Sequence, residues 1–116
     1  MDNRKDPRFS VHFRSSFSSA NIISGVGLLN NLSSGGCRIF TSTPVKPGTA
    51  LELRIEISDS EPPLQVKQAI VRWTRDGNFG VEFLNLAPED WARLRLTVKE
   101  LERQPYERAR QGETAS

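Results

Sequence analysis

Two groups of polar residues in this sequence have the types and the spacing to bind a ligand. Arg4 and Arg8 stand four residues apart near the amino terminus, and residues 30–40 read NNLSSGGCRIF. Guanidinium groups form bidentate bonds to anions, and asparagine and serine side chains both donate and accept hydrogen bonds. A solvated terminus would account for the arginines alone, and a tight turn would account for the glycines alone. A turn does not explain why asparagine and serine cluster beside the glycines.

The sequence offers little chemistry for catalysis or for metal binding. It contains one histidine and one cysteine, which cannot supply the four ligands of a structural zinc site. No nucleophile stands in a recognisable pattern with a base. We therefore expect a protein that is not an enzyme, with no catalytic residues, no bound metal and no cofactor.

Length and charge narrow the class of protein further. A chain of 116 residues is enough for one compact domain. Its 16 Lys and Arg against 14 Asp and Glu give a net charge of +2, which is compatible with an anionic ligand but too weak for general nucleic-acid binding. No apolar run approaches the roughly 20 residues that span a bilayer, and no signal peptide is recognisable. We expect a cytoplasmic protein without a membrane partner, and the weak net charge disfavours a nucleic-acid partner.

Six segments show the alternation of apolar and polar residues that predicts half-buried β-strands. They begin near Phe9, Ser24, Cys37, Leu51, Leu64 and Phe79. In the fourth segment Leu51, Leu53, Ile55 and Ile57 would face inwards, and Cys37 of the third would also be a core residue. In the fifth segment the inward-facing set changes, which predicts a β-bulge near Gln68. The new inward set would be Ala69, Val71 and Trp73. Close spacing and the Asp76-Gly77 hairpin turn indicate a small antiparallel barrel or sandwich.

The pattern after the last strand predicts one helix. Pro88 suits the first helical position, and acidic residues follow it. An apolar stripe at helical spacing comprises Trp91, Leu94, Val98 and Leu101. We therefore divide the chain into an exposed arm at residues 1–8, a strand-and-helix body at residues 9–103, and a disordered or loosely packed tail at residues 104–116.

The two polar groups together resemble the paired motifs of PilZ domains. Residues 4–8 read RKDPR, which matches R-x-x-x-R, and residues 31–36 read NLSSGG, which matches [D/N]-x-S-x-x-G. Three further similarities are a P-x-x-P-G turn at residues 44–48, a V-x-W strand at residues 71–73 and an A-P-E-D helix start at residues 87–90. The resemblance covers residues 4–101. It implies a mainly β fold, a six-stranded antiparallel split barrel followed by a C-terminal helix.

The same resemblance implies a ligand, the second messenger cyclic di-GMP, bound without a cofactor. The implied binding residues are Arg4, Lys5, Arg8, Asn31, Ser33, Gly35 and Gly36, with Trp73 and Arg72 as supplements. Asn31 and Ser33 would point the same way, since alternate positions along a strand share one face, and Leu32 between them would enter the core. The glycines would let the backbone amides approach the ligand.

Three functions fit these residues. The leading hypothesis is a stand-alone cyclic di-GMP receptor or adaptor whose arm changes conformation on binding and signals to a partner protein. A second is a PilZ adaptor that does not bind nucleotide, although such domains usually lack one or both motifs. A third is a small barrel that binds single-stranded nucleic acid, which the weak net charge and the lack of an aromatic cluster disfavour.

Overall fold

The computed structural model of the protein describes residues 7–19 and 24–103. Arg4, Lys5 and the predicted tail at residues 104–116 lie outside the described residues. The elements are β1 (Phe9–Ser18), β2 (Ser24–Leu32), β3 (Gly36–Phe40), β4 (Ala50–Glu56), β5 (Leu64–Arg75), β6 (Asn78–Asn85) and α1 (Pro88–Arg103).

The six described strands close into an antiparallel barrel. Their order around the barrel is β1-β2-β3-β6-β5-β4, and pairing of β4 with β1 completes the ring. Closure pairs the backbone of each strand on both sides, which leaves no open sheet edge among these strands. The predicted barrel is confirmed, and the alternative of a sandwich is wrong.

The barrel interior contains the residues that the alternating pattern placed there. Leu51, Leu53 and Ile55 of β4 are buried. Phe79 of β6 meets Phe17 of β1 edge to face, with ring centroids 5.1 Å apart. Burial of each such side chain contributes about 1.5–3 kcal/mol to folding. The outward residues of the same strands form the wall on which a ligand site can be built.

Strand β5 departs twice from regular pairing, and the second departure reverses one prediction. The register shifts between Gln68 and Ala69, which confirms the predicted bulge. It shifts again between Val71 and Trp73, so that Val71 is buried while the Trp73 side chain is 41% exposed on the outer wall. The prediction that Trp73 faces the core is therefore wrong, because a second irregularity changes the face of the residues that follow it.

Helix α1 packs against the barrel through the predicted stripe. Leu94 is fully buried, and Trp91, Val98 and Leu101 pack partly buried against the core. The Asp90 carboxylate in the first turn accepts a hydrogen bond from the backbone amide of Gln65 at 3.3 Å, which ties the start of the helix to β5. Within the described ranges, no helix has the length and apolar character needed to cross a membrane.

Candidate functional site

The turn between β2 and β3 is built around the hydroxyl of Ser33. This oxygen accepts hydrogen bonds from the amides of Gly35 and Gly36 at 3.2 and 3.1 Å, and the Ser33 amide donates to the Gly36 carbonyl at 2.9 Å. Serine hydroxyls close short turns in this way because they reach backbone amides two or three residues ahead. Ser33 is consequently only 2% exposed.

This geometry corrects two expectations about the turn. Ser33 does not project beside Asn31 as a second outward hydrogen-bonding group, because the strand ends at Leu32 and the Ser33 side chain folds back into the turn. The amides of Gly35 and Gly36 are likewise directed at the Ser33 hydroxyl and not at the surroundings. In the structure the serine and the glycines therefore shape the turn.

The backbone of the neighbouring strand β6 lies too close to Gly36 to leave room for a side chain. A Cβ at this position would collide with the carbonyl oxygen of Val81 on β6. The amide of Phe83 also donates to the Gly35 carbonyl at 2.9 Å, so the turn is held tightly against β6. The absence of a side chain at Gly36 thus serves strand packing. The predicted approach of a ligand to the backbone at Gly36 stays a prediction.

Arg8 meets Asn31 across the barrel wall. Its guanidinium Nη1 donates to the Asn31 side-chain oxygen at 2.8 Å. The contact follows from strand pairing, since Ser10 of β1 lies opposite Asn31 of β2 and Arg8 stands just before β1. The structure therefore brings together one residue from each sequence motif. The positions of Arg4 and Lys5 are not described, and their roles remain predictions.

A second arginine, Arg38 on β3, lies beside this pair and was missed in the sequence. Its Nε donates to the side-chain oxygen of Asn30 at 2.7 Å, and the Asn30 amide donates to the side-chain oxygen of Asn78 at 3.3 Å. The register of β2 and β3 shifts between Leu29 and Asn31, which makes Asn30 an extra residue. This bulge lets consecutive asparagines each hold a different arginine.

Strand register aligns these residues with Trp73 on the outer wall. Asn31 lies opposite Arg38, Arg38 opposite Gly80, and Gly80 opposite Trp73, across β2, β3, β6 and β5. A Cβ at Gly80 would collide with the indole of Trp73, so the ring lies over β6 at the position of Gly80. We call Arg8, Asn31, Arg38 and Trp73 the wall site.

Arg72, the other supplementary residue of the predicted site, is already paired. Its Nε and Nη2 both donate to one carboxylate oxygen of Glu82, at 2.9 and 2.6 Å. Glu82 lies opposite Gly36 on the neighbouring strand, so this ion pair borders the turn. The carboxylate offsets the charge of Arg72, which makes it a weaker candidate for an anionic ligand than Arg8 or Arg38.

The wall site keeps positive charge available. Among the described residues, Arg14, Arg72 and Arg93 pair with carboxylates, whereas the hydrogen bonds of Arg8 and Arg38 go to neutral asparagine oxygens. An amide oxygen orients a guanidinium without cancelling its charge. Two oriented cations beside an exposed aromatic ring suit an anionic ligand with planar groups.

Cys37, adjacent to Arg38, has no reactive role in this arrangement. Complete burial raises the pKa of its thiol far above the usual value, and the nearby charge of Arg8 lowers it by a smaller amount. A thiol with a raised pKa is a poor nucleophile at neutral pH. Cys37 therefore acts as a small core residue, as its position in the strand pattern predicted.

The described residues form a closed six-stranded antiparallel barrel followed by one C-terminal helix. The sequence matches the PilZ domain family over residues 2–100. The chain belongs to the PilZ domain family, whose members act as receptors and adaptors. No curated protein matches the sequence.

Solved structures support the same fold. The chain is similar to the Bacillus subtilis inhibitor of motility MotI/DgrA, at 21% identity over 93% of this chain and 54% of that one, with a TM-score of 0.69. It is similar to Escherichia coli YcgR in complex with c-di-GMP, at 19% identity over 94% of this chain and 50% of that one, with a TM-score of 0.72.

A third similar structure is an isolated domain. The PilZ domain of CeSA from a cellulose-synthesizing bacterium shares 18% identity over 83% of this chain and 98% of that one, with a TM-score of 0.66. This chain therefore spans about half the length of the motility inhibitor and of YcgR, and nearly all of the isolated domain.

Proposed function

We propose that this protein is a receptor for cyclic di-GMP that signals ligand binding to a partner protein. The observation that carries the proposal is the bond from Arg8 to Asn31, which joins the two sequence motifs on one face of the barrel. Family membership and the likeness to YcgR in complex with c-di-GMP support the choice of ligand.

The chemistry of the ligand suits the wall site. Cyclic di-GMP carries two phosphate charges and two guanines. A guanidinium can neutralise a phosphate, bond to guanine O6 and N7 in bidentate fashion, or stack on a purine face. Arg8 would make one such contact, and Arg4 and Lys5 would add charge from the arm. Ser33, Gly35 and Gly36 contribute by holding the turn that fixes Asn31.

Calorimetry with cyclic di-GMP tests the proposal directly. We expect the wild-type protein to bind it, and Arg8→Ala to weaken binding about tenfold or more, because a bidentate contact is worth ~1–3 kcal/mol. Arg54→Ala is the matched control, since Arg54 is an exposed arginine on β4, away from the wall site. GTP and a single-stranded oligonucleotide serve as competing ligands.

Two outcomes would contradict the receptor hypothesis. One is a folded wild-type protein that shows no heat of binding when it is titrated with cyclic di-GMP. The other is an Arg8→Ala variant whose affinity equals that of Arg54→Ala. Preferential binding of the oligonucleotide would instead favour the nucleic-acid alternative.

The adaptor alternative is favoured by one surface feature. Leu28 and Phe40 lie opposite each other on β2 and β3, and their side chains are exposed to solvent together with Val26. Exposed apolar clusters of this kind mark protein interaction surfaces. Arg14 lies opposite Leu28 and Arg38 is two residues before Phe40, so a complementary partner would present apolar side chains flanked by carboxylates.

A further inference from the structure

Arg38 and Trp73 lie on either side of Gly80 on the outer wall. Both lie opposite Gly80, one on each neighbouring strand, so their backbones are roughly 10 Å apart at the usual strand spacing. The Trp73 indole approaches Gly80 through its Nε1, Cε2 and Cζ2 atoms, so the ring lies between its own strand and Arg38. A planar ring stacked on the indole would therefore have one edge towards Arg38.

The guanidinium of Arg38 is held in place with donors available for the edge of a stacked ring. Its Nε is occupied by the 2.7 Å bond to Asn30, and Asn30 is held in turn by Asn78. A guanidinium that is bonded through Nε retains the donors of its two terminal nitrogens. Two parallel donors match a base edge that offers two adjacent acceptors.

Guanine is the base with such an edge. Its O6 and N7 both accept hydrogen bonds, whereas adenine presents an N6 donor beside N7. Stacking on an aromatic side chain is tolerant of the base, so discrimination has to come from the edge. Arginine at this position would favour guanine over adenine.

We propose that Arg38 reads the O6 and N7 edge of a guanine that stacks on Trp73, and that Asn30 is a positioning residue for Arg38. The inference rests on the proposed function, because it assigns a base-specific contact within the same site. It adds a third arginine to the two of the amino-terminal motif.

The test compares Arg38→Ala, Arg38→Lys and the control Arg54→Ala in calorimetric titrations with cyclic di-GMP. We expect Arg38→Ala to lose affinity by about tenfold or more. Arg38→Lys should lose nearly as much, because lysine keeps the charge but lacks the planar fork. Arg54→Ala should retain the wild-type affinity, and all variants should unfold at similar temperatures.

The positioning role of Asn30 is tested by a measurement that would be unaffected if Asn30 only stabilised the fold. We expect Asn30→Ala to weaken binding in the wild-type background and to cause no further loss in the Arg38→Ala background. Such non-additivity shows that the two residues act through one contact.

The outcomes separate this inference from the proposed function. If the wild-type protein binds cyclic di-GMP and Arg38→Ala binds equally well, the inference is overturned while the receptor function stands. If Arg38→Lys retains the wild-type affinity, Arg38 supplies charge only and the guanine contact is overturned. If the wild-type protein does not bind, both are overturned. Equal additive losses for Asn30→Ala in both backgrounds would refute the positioning role.

Discussion

Two asparagines of this sequence, Asn30 and Asn31, each accept a hydrogen bond from an arginine. Asn31 accepts a bond from Arg8 and Asn30 accepts one from Arg38, and neither bond neutralises the cation that it orients. A carboxylate in place of either amide would bind the arginine more strongly and would also offset its charge. The neutral pairing leaves two guanidinium groups fixed in direction and able to attract an anion. At the scale of single residues, this preorganisation is the main chemical property of the wall site.

The fluorescence of Trp73 provides a test of the proposed stacking that does not require a comparison of binding affinities. The protein contains two tryptophans, and Trp91→Phe leaves Trp73 as the single reporter. Because its indole is 41% exposed and proposed to stack on a base, we expect cyclic di-GMP to change its fluorescence emission. A titration with GTP is the control. Saturation of the protein with cyclic di-GMP, verified by calorimetry, without any spectral change would contradict stacking on Trp73.

The turn between β2 and β3 is the element that sets the wall site in place. Ser33 closes it from inside, and the contact of Gly36 with Val81 fixes its distance from β6. In the proposed receptor, the serine and glycine of the motif would act on the ligand through the backbone that carries Asn31.

Gly36→Ala tests that structural role. The added Cβ would meet the Val81 carbonyl, a backbone atom that cannot rotate away, so we expect a loss of about 1–3 kcal/mol in the free energy of unfolding. Urea unfolding measures the change. Ser34→Ala, in the same turn, is the control and should unfold close to the wild type. Equal stability of Gly36→Ala and Ser34→Ala would show that β3 and β6 can separate without cost.

At the scale of the whole molecule, the barrel closes on itself and presents the candidate site on its outer wall. Strand pairing uses backbone hydrogen-bonding groups on both sides of each strand, so the proposed ligand would be recognised by side chains that project outwards and by the segment that precedes β1. Arg8 belongs to that segment, whose contact with β2 is the only link between the two motifs among the described residues.

We predict that ligand binding slows amide hydrogen exchange in residues 1–8. Contacts from Arg4 and Arg8 to a shared ligand would fix this segment against the barrel, and the resulting surface would differ between the free and bound protein. Exchange measured by mass spectrometry with and without cyclic di-GMP provides the test, and the carboxyl-terminal half of α1 serves as an internal control. Identical exchange in residues 1–8 in both states would contradict a conformational signal from the arm.

Much of the architecture could be predicted from the sequence because it depends on local periodicity. Alternation over β4 identified Leu51, Leu53 and Ile55 as core residues, and the stripe on α1 identified Leu94. The break in alternation near Gln68 indicated a real bulge. The two motifs also identified Arg8 and Asn31, which the structure places 2.8 Å apart.

The sequence by itself therefore determined the strands, the helix and the presence of a paired arginine-asparagine motif. Only the tertiary structure decided that Trp73 faces outwards, that Ser33 folds into its turn and that Arg38 joins the wall site. The physical reason is that a single bulge changes the face of the strand residues beyond it, and its exact position depends on contacts with neighbouring strands. The register that aligns Arg38, Gly80 and Trp73 depends on pairing between strands, and Arg38 and Gly80 are more than forty residues apart in the sequence. No local sequence pattern encodes this alignment.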